Sequence, residues 1–554
     1  MGDRRERREV SGSRAAATDW NFADVWEAVA RARPSAPVLV QGQRRVTWEE
    51  FDARAGGIAA ALVESGLGHQ AKVAQYLYNS PEYVESLFAA LKAGLVPVNT
   101  NYRYTPDELC YLWDNADVEA VIFGGSFVAE AELVRRRLPA IRSWWWVDDG
   151  PGEKPPWAVP YEEAARAGAG GFEGPRRRSG DDLLLVYTGG TTGLPKGVMW
   201  RQDDLFAILN RTADLRYPEA GGAEGVRSTL EGPQRHPPPR LVPCAPLMHG
   251  TGLFTAMSVL CSAGSLVLLQ GRHFSPVELL DTIERERVTE LSLVGDAFAR
   301  PLLAELDAHP GRWDISTLWL IISSGVMWSA DVKEGLLRHQ PRLRMVDNLG
   351  SSEAIGLARS HTSRAGAAAT GGFQLGPDTM VIAEDGRPVT PGSGQRGLVA
   401  VRGRMPLGYY KDPDKTAATF RLIDGRRWSV PGDWATVDTD GTVHLLGRGS
   451  AVINTGGEKV FPEEVEEVLK RHPGVVDAVV VGIPHPRFGE AVVSVVEPAP
   501  GSAPEEGELI EWVKSQLAGY KAPRRVVKVP SVGRSPNGKV DYGRVKQEVR
   551  AALG

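Results

Sequence analysis

The stretch Leu183–Trp200, LLLVYTGGTTGLPKGVMW, joins an apolar run to a loop rich in Thr and Gly. Its first five residues predict a buried strand, and the loop that follows ends in Pro195, Lys196 and Gly197. Backbone N–H groups of a Gly-rich loop converge on an anion, while Thr hydroxyls add donors and Lys adds a compact charge. This combination predicts a phosphate-binding loop. The P-loop pattern G-x-x-x-x-G-K-[ST] does not fit, because Pro precedes the Lys and Gly follows it.

The composition of the 554-residue chain, with 42% hydrophobic and 24% charged residues, is typical of several globular domains. The net charge of −5 offers no electrostatic reason to expect a nucleic-acid partner. Cys110, Cys244 and Cys261 lie far from metal-binding spacings, so we expect neither a disulfide framework nor a zinc site, and we expect the reducing cytoplasm. No apolar run approaches the length of a membrane span. Residues 1–18 lack the apolar core of a signal peptide and predict a disordered tail.

Helical and strand patterns alternate along the first part of the chain, which predicts a mostly parallel sheet. We expect helices at 48–66 and 81–93, strands at 72–77, 95–99, 290–295 and 318–325, an aromatic core strand at 144–146, and a connector at 148–180. The segment 215–240, which contains RYPEAGGAEGVRSTLEGPQRHPPPR, has no hydrophobic period, so we expect it to be mobile and exposed. A helix should start at Leu253, and near the C-terminus we expect a helix at 462–470, a strand at 475–482 and a final helix from about Glu505.

The stretch 183–200 closely resembles the signature [ST]-[SG]-G-[ST]-T-G-x-P-K-G of adenylate-forming enzymes, which include acyl-CoA synthetases, firefly luciferases and the adenylation domains of peptide synthetases. Further blocks also resemble that family: RMVDNLGSSEA at 344–354, GSGQRGLVAVRGRMPLGYY at 392–410, VPGDW at 430–434, LGRGSAVINTGGEKVFPEEVE at 446–466 and RSPNGKVD at 534–541. Together these blocks extend the resemblance to roughly residues 20–545.

The resemblance implies an α/β fold: a large N-terminal domain of stacked, mostly parallel sheets with a small β-barrel subdomain, and a small mobile α+β C-terminal domain. After the tail at 1–18, the N-terminal adenylate-forming domain should span 19–447, the hinge 448–450 and the C-terminal lid domain 451–554. Gly449 and Ser450 would form the hinge, although relatives place Asp or Lys where Ser450 stands.

The resemblance also implies site residues. Catalytic roles would fall to Thr188, Glu353 and Lys539, with Thr188 and Glu353 binding Mg²⁺. ATP or AMP would contact Thr188, Gly189, Gly190, Thr191, Thr192, Gly193, Lys196, Ser324, Gly325, Asn348, Leu349, Gly350, Ser351, Ser352, Asp433, Arg448 and Lys539. We expect His249, Phe254 and Val326 to line the acyl pocket, and Gly456 and Gly457 to line the CoA tunnel. Leu349 stands where the family commonly has Tyr, and Pro431 where it has Thr.

The leading hypothesis is an ATP-dependent acyl-CoA synthetase that uses Mg²⁺ and coenzyme A, most similar to actinobacterial long-chain and steroid-side-chain acyl-CoA ligases. The alternative is an adenylate-forming enzyme with another acceptor, which activates an aryl acid, loads a carrier protein, or activates nitrite for diazotisation of an aromatic amine. A third reading is a nucleotide-binding scaffold without activity. The expected partners are a small carboxylic acid and CoA, with no nucleic acid. The motifs leave the acid unidentified and a homo-oligomer open.

Overall fold

The computed structural model describes residues 19–553 except 169–171, 173, 175–177, 191–192, 214, 219–221, 235, 326–327, 365–371, 449–451, 456–457, 486–488, 518, 536–537 and 539. Its α-helices are α1 Phe22–Ala32, α2 Trp48–Glu64, α3 Pro81–Lys92, α4 Pro106–Asn115, α5 Val128–Arg137, α6 Tyr161–Ala167, α7 Gln202–Thr212, α8 Gly222–Glu231, α9 Gly250–Cys261, α10 Pro276–Glu286, α11 Asp296–Ala308, α12 Ala330–His339, α13 Pro413–Thr419, α14 Pro462–Lys470, α15 Glu506–Lys514 and α16 Tyr542–Leu553. Across these helices, none combines the length and the apolar character needed to cross a bilayer.

The strands are β1 Pro37–Gln41, β2 Arg44–Thr47, β3 Lys72–Tyr76, β4 Val96–Asn99, β5 Val118–Gly124, β6 Ser143–Val147, β7 Val159–Pro160, β8 Leu183–Gly190, β9 Gly193–Arg201, β10 Arg240–Pro243, β11 Ser265–Leu268, β12 Glu290–Leu293, β13 Leu320–Ser324, β14 Arg344–Ser351, β15 Ala354–Thr362, β16 Gly372–Leu375, β17 Thr379–Ile382, β18 Gly397–Arg402, β19 Gly408–Tyr409, β20 Phe420–Ile423, β21 Arg426–Ser429, β22 Asp433–Val437, β23 Thr442–Arg448, β24 Ile453–Thr455, β25 Glu458–Val460, β26 Val475–His485, β27 Gly489–Pro498 and β28 Arg525–Lys528.

The first sheet has the order β19-β9-β8-β4-β3-β5-β6-β7, and β3 to β8 pair in parallel, as predicted from the alternation of helices and strands. Helix α2 begins where expected because the Thr47 hydroxyl accepts from the Glu50 N–H while the Glu50 carboxylate accepts from the Thr47 N–H. Strand β6 buries Trp144 and Trp145, which confirms the predicted aromatic core strand. The predicted connector at 148–180 contains β7 and α6.

The central stretch forms a β-hairpin rather than the strand and open loop that we predicted. Strand β8 continues to Gly190, β9 begins at Gly193, and Thr188 lies opposite Lys196. The prediction was wrong because Gly and Thr at these positions pair their backbones across the hairpin, which the apolar pattern does not reveal. Thr191 and Thr192 lie outside the described residues.

The second sheet is parallel from β1 through β11, β10, β12 and β13 to β14, and antiparallel from β14 through β15, β16, β23, β22, β18 and β21 to β20. The antiparallel part encloses its own core, with Leu357, Val399 and Val443 fully buried, and corresponds to the small β-subdomain expected from the sequence. The predicted strands at 290–295 and 318–325 are confirmed as β12 and β13.

The C-terminal unit is a small sheet, β25-β24-β27-β26 with β28 beside β27, packed against α14, α15 and α16. Its α+β character was predicted, but α15 is not the final helix. Helix α16 follows it and buries Val545 and Val549, an i, i+4 pair that the sequence reading overlooked.

The segment 215–240 is not the exposed, structureless insertion that we predicted. It contains α8, whose Val226 and Leu230 are buried in the core formed with α1 and α9. The Arg33 guanidinium donates to the Leu230 carbonyl at 2.8 Å and so caps the end of this helix. Four Gly residues among 221–232 hid the i, i+4 spacing of the two apolar side chains.

The buried ion pair of the large sheet joins Lys333 of α12 to Asp347 of β14, with Nζ and Oδ2 3.5 Å apart. Burial raises the pKa of Asp347 to about 6, although the Lys333 charge pulls that pKa down. The Asp347 carboxyl therefore keeps its proton in the native state at pH values where the unfolded chain has already released it. The free energy of unfolding consequently falls as pH rises from the unfolded pKa through about 6.

We expect Leu230→Ala to lower the free energy of unfolding by about 2–4 kcal/mol, because it opens a cavity under α8. Denaturant titration followed by tryptophan fluorescence measures this loss. Ala223→Ser, at an exposed position of the same helix, is the control and should change stability by less than about 0.5 kcal/mol. Equal, small effects of the two substitutions would contradict the packing of α8.

Between about pH 4 and pH 7 we expect the wild-type chain to lose ~2 kcal/mol of unfolding free energy relative to the double variant Lys333→Met, Asp347→Asn, which lacks the titrating carboxyl. Denaturant titrations of both proteins at intervals of pH measure this difference. Parallel pH profiles of the two proteins would show that Asp347 does not titrate in this range.

Candidate active site

A cavity of about 1850 Å³ opens beyond the carboxyl ends of the parallel strands β12, β13 and β14. Helix α9, the turn between β14 and β15, strand β22 and residues of the C-terminal unit contribute to its walls. Open α/β sheets bind ligands at this edge, because successive loops converge there. Most of the residues that the sequence predicted for the site and that the structure describes line this one cavity: Thr188, His249, Phe254, Ser324, Gly325, Asn348, Leu349, Gly350, Ser351, Ser352, Glu353 and Asp433.

Glu353 lies in the tight turn that joins β14 to β15, with Ser351 paired to Ala354 across the turn. Three long-range hydrogen bonds hold this turn. The Tyr409 hydroxyl donates to Glu353 Oε1 at 2.7 Å, the Ser429 hydroxyl donates to the Glu353 carbonyl at 2.8 Å, and Trp200 Nε1 donates to the Ser352 carbonyl at 2.9 Å. The carboxylate is therefore fixed at the edge of the cavity.

Lys196 lies outside the cavity lining, although the sequence predicted that it contacts phosphate. Its Nζ pairs with Asp412 Oδ2 at 2.8 Å and stands 5.8 Å from the centre of the Tyr409 ring. The hydrogen bond from Lys196 lowers the pKa of Asp412. The central hairpin is thus tied to the segment that also supplies Tyr409 to Glu353.

Ser324 and Gly325 end β13 next to the turn of β14 and β15. Gly325 has a φ of +96°, which a side chain would strain, so glycine is required there. Opposite Ser324 in the sheet, the buried Oδ1 of Asn348 has no hydrogen-bond partner among the described residues. This oxygen can accept a hydrogen bond from an N–H or O–H group of a ligand. Leu349, in the place of the family's aromatic residue, is 8% exposed and packs into the antiparallel core.

Asp433 and Arg448 face each other across β22 and β23. Asp433 is 4% exposed and lines the cavity, whereas only the backbone of Arg448 is described. Gly447 beside it has a φ of +124°, and a Cβ there would lie 2.1 Å from Glu463 Oε2 of α14. The backbone next to the predicted hinge therefore touches the C-terminal unit without an intervening side chain.

His249 precedes α9, and Phe254 lies in its second turn; both line the cavity as predicted. Asn99 holds the loop before α9 against β8, because its amide donates to the Met248 carbonyl at 2.6 Å and to the Tyr187 carbonyl at 2.9 Å. Val326, the third residue predicted for the acyl pocket, lies outside the described residues.

Several further predicted residues also lie outside the described residues: Gly449, Ser450, Gly456, Gly457 and Lys539. The neighbours of Lys539 are described. The Gly538 N–H donates to the Ser535 carbonyl at 2.8 Å and so closes a turn within the motif RSPNGK. Arg534 anchors this turn, since its guanidinium reaches Asp477 of β26 at 2.6 Å and the Gly538 carbonyl at 3.2 Å.

The cavity residues fit a magnesium ion that accompanies a nucleotide. Mg²⁺ in such sites takes one or two protein oxygens and completes its shell with phosphate oxygens and water. Tyr409 donates to one oxygen of Glu353, and no residue in the described part of the chain donates to the other. The hydroxyl-bearing Thr188 lines the same cavity.

Four residues that position the site were missed by sequence reasoning: Asn99, Trp200, Tyr409 and Asp412. Tyr409 belongs to the G-Y-Y block that resembles the family, so the sequence marked this residue, but the motif did not indicate that it binds Glu353. The other three act through hydrogen bonds or ion pairs to residues that are distant in the sequence.

The chain matches the family of AMP-binding enzymes over residues 26–410 and the AMP-binding enzyme C-terminal domain over residues 464–539. It is 39% identical over 539 residues to the medium/long-chain-fatty-acid–CoA/3-oxocholest-4-en-26-oate–CoA ligase of Mycobacterium tuberculosis, with 96% of each chain covered. It is 38% identical to the 3-oxocholest-4-en-26-oate–CoA ligase of Rhodococcus rhodochrous, over 95% of this chain and 96% of that protein.

Two solved structures have the same fold. ATP-bound MatB from Rhodopseudomonas palustris superimposes with a TM-score of 0.78 at 26% identity, covering 96% of this chain and 100% of MatB. The anthranilate CoA ligase AuaEII in complex with anthranoyl-AMP superimposes with a TM-score of 0.83 over 97% of this chain and 98% of AuaEII, and at 22% identity it shows the fold alone. These matches extend over nearly the whole sequence. The chain therefore belongs to the AMP-binding enzymes, in the branch of ATP-dependent acid–CoA ligases.

Proposed function

We propose that this ligase activates a long or ring-bearing hydrophobic carboxylic acid. The main support for this proposal is that the cavity extends along one face of the large sheet. Alternate residues of β13 and β14 line it in register: Ser324 beside Asn348, Ile322 beside Val346, and Leu320 beside Arg344. At ~3.3 Å per residue, the path from Ser351 back to Arg344 is roughly 23 Å long. An acyl chain or a fused ring system fits a groove of this length.

Helices cover this groove on the other side. Phe254, Thr255, Ser258 and Val259 of α9 line it, together with Leu230 of the unexpected helix α8. The relatives from Mycobacterium tuberculosis and Rhodococcus rhodochrous are named for fatty acids and for a steroid-side-chain acid, and both classes are long and apolar. This agreement supports the same substrate class here.

In the first step, a carboxylate oxygen of the acid bonds to the α-phosphorus of ATP while the bond to the bridging oxygen breaks, and pyrophosphate leaves with the electron pair. We propose that Asp433 accepts from the ribose hydroxyls, that Arg448 and Lys539 donate to the α-phosphate, and that Glu353 and Thr188 hold Mg²⁺. The metal, when bound, neutralises charge on the phosphate oxygens. Fixed donors in a shielded site stabilise the same charge without reorganising.

In the second step, the thiolate of CoA attacks the acyl carbonyl and AMP leaves. Lys539 has no role in this step, so we propose that the C-terminal lid domain, 451–554, rotates about the hinge 448–450 and brings Gly456 and Gly457 to the CoA tunnel. The separate matches of the family at 26–410 and 464–539 support this division of the chain. Rotations of this kind commonly gate multistep enzymes.

We further propose that the enzyme acts in the cytoplasm, since Cys110, Cys244 and Cys261 are free thiols and ATP and CoA are cytoplasmic substrates. Its proposed partners are the acid and CoA. Size-exclusion chromatography with light scattering would distinguish a monomer from a homo-oligomer.

Pyrophosphate release tests the proposed function directly. The enzyme is incubated with ATP and Mg²⁺ and a panel of fatty acids, steroid-side-chain acids, aryl acids and nitrite, each with and without CoA. We expect release with long or ring-bearing acids, accompanied by their CoA thioesters. Release with nitrite alone, or release without any thioester, would mean that the acceptor is not CoA.

We expect Lys539→Ala to slow adenylate formation by ~10²–10³, because one donor to the developing phosphate charge is lost. Thioester formation from supplied acyl-adenylate should stay within a few-fold of wild type. Pyrophosphate release and thioester chromatography measure the two steps separately. Lys528→Ala, at an exposed position of the same unit, is the matched control. Equal loss in both steps would contradict the proposed division between them.

A further inference from the structure

The groove face of the large sheet carries basic side chains where a purely aliphatic substrate needs none. Strand β15 continues this face beyond β14: Arg359 lies opposite Asn348, and His361 lies opposite Val346. Both line the cavity, as does Arg344 at the far end of β14. The sheet wall therefore changes from apolar at β13 to cationic at β15.

Arg359 differs from three other shielded arginines among the described residues. Arg54, Arg178 and Arg534 each lie 2.6–2.8 Å from a carboxylate oxygen. The Arg359 side chain is half-buried, and among the described residues nothing forms a hydrogen bond or an ion pair with its guanidinium. Burial alone lowers its pKa.

A partly shielded cation without a counter-charge is less favourable than a paired one, because it has lost part of its water and gained no partner. Proteins normally pair such a group, and an unpaired one in a ligand cavity indicates that the ligand supplies the partner. A guanidinium only donates hydrogen bonds. Its partner must therefore be a hydrogen-bond acceptor, and in an organic acid that acceptor is oxygen.

Helix α9, which covers the groove, also presents polar side chains to the cavity. Thr251, Thr255, Ser258 and Ser262 recur along α9 at intervals of three or four residues and all line the cavity. The hydroxyls of Thr255 and Ser262 donate to carbonyls one turn earlier, at 2.7 and 3.0 Å. Their oxygens keep lone pairs that can still accept hydrogen bonds, so this wall of the cavity also tolerates polar groups.

We infer that the acid carries a second oxygen function, remote from its reacting carboxyl group, and that Arg359 donates to this oxygen. The inference rests on the proposed function and narrows its substrate class to acids with a remote oxo or carboxylate group. Arg359 pairs with Asn348, which precedes Ser351 by three residues on β14. At ~3.3 Å per residue, Arg359 therefore lies roughly 10 Å along the strand from the turn that holds Glu353, and we place the remote oxygen at about that distance from the reacting end.

Matched acids test this inference. Decanoic and dodecanoic acid are compared with decanedioic and dodecanedioic acid, and a steroid-side-chain acid with a ring oxo group is compared with its deoxy counterpart. The kcat/KM for thioester formation is measured for the wild type, for Arg359→Met, which keeps the length and removes the charge, and for Arg359→Lys. Arg342→Met, at an exposed position outside the cavity lining, is the control.

We expect the wild type to prefer at least one oxygenated acid over its matched partner, and Arg359→Met to reduce that preference by about tenfold to a hundredfold. Arg359→Lys should restore part of it, and the KM for ATP should not change. The preferred pair distinguishes an oxo group from a carboxylate.

Three results would overturn the inference while leaving the ligase function intact. These are equal use of matched acids by the wild type, a preference that Arg359→Met leaves unchanged, and a rise in the KM for ATP that is the same with every acid, since the last would make Arg359 a nucleotide contact. Failure of every acid to give a thioester would instead overturn the proposed function.

Discussion

The turn at Ser352 and Glu353 is the point on which the geometry of the site depends. It joins the last parallel strand of the large sheet to the first antiparallel one, so it stands where two types of strand pairing meet. Trp200 holds it from the central hairpin, Tyr409 from the segment after β18, and Ser429 from β21. If Glu353 holds Mg²⁺ as we propose, its carboxylate has to be held from several directions, because a free side chain would occupy many positions.

Most of the described residues that the motifs assigned to a site line one cavity, and the local sequence pattern predicted half of the strands that pair in parallel. Glu353, Asp433, Ser324 and the start of α9 line one cavity because parallel strands bring their carboxyl ends to one edge. That convergence is a property of the topology, so a correct assignment of strands is sufficient to predict it.

The remaining features depend on contacts that no local pattern contains. Lys196 and Asp412 are separated by more than two hundred residues, and the sequence alone gives no reason to pair them. Helix α8 was missed because Gly residues conceal a short amphipathic helix whose stability comes from packing against α1. The polar character of the groove was equally hidden, since it depends on which face of β15 lines the cavity.

Arg534 makes the turn before Lys539 mechanically part of β26, through Asp477 and the Ala478 carbonyl. Under the role that we propose for Lys539, it matters that the described residues before it, Arg534 and Gly538, are tied to the small sheet. A change in the angle at which the C-terminal unit docks would displace this turn, and the displacement would grow with the distance of the turn from the axis of rotation. The small sheet must then be rigid so that it keeps this turn in position, in addition to any need of its own stability. A core substitution there, such as at Val479 or Val495, would impair catalysis by displacing the turn.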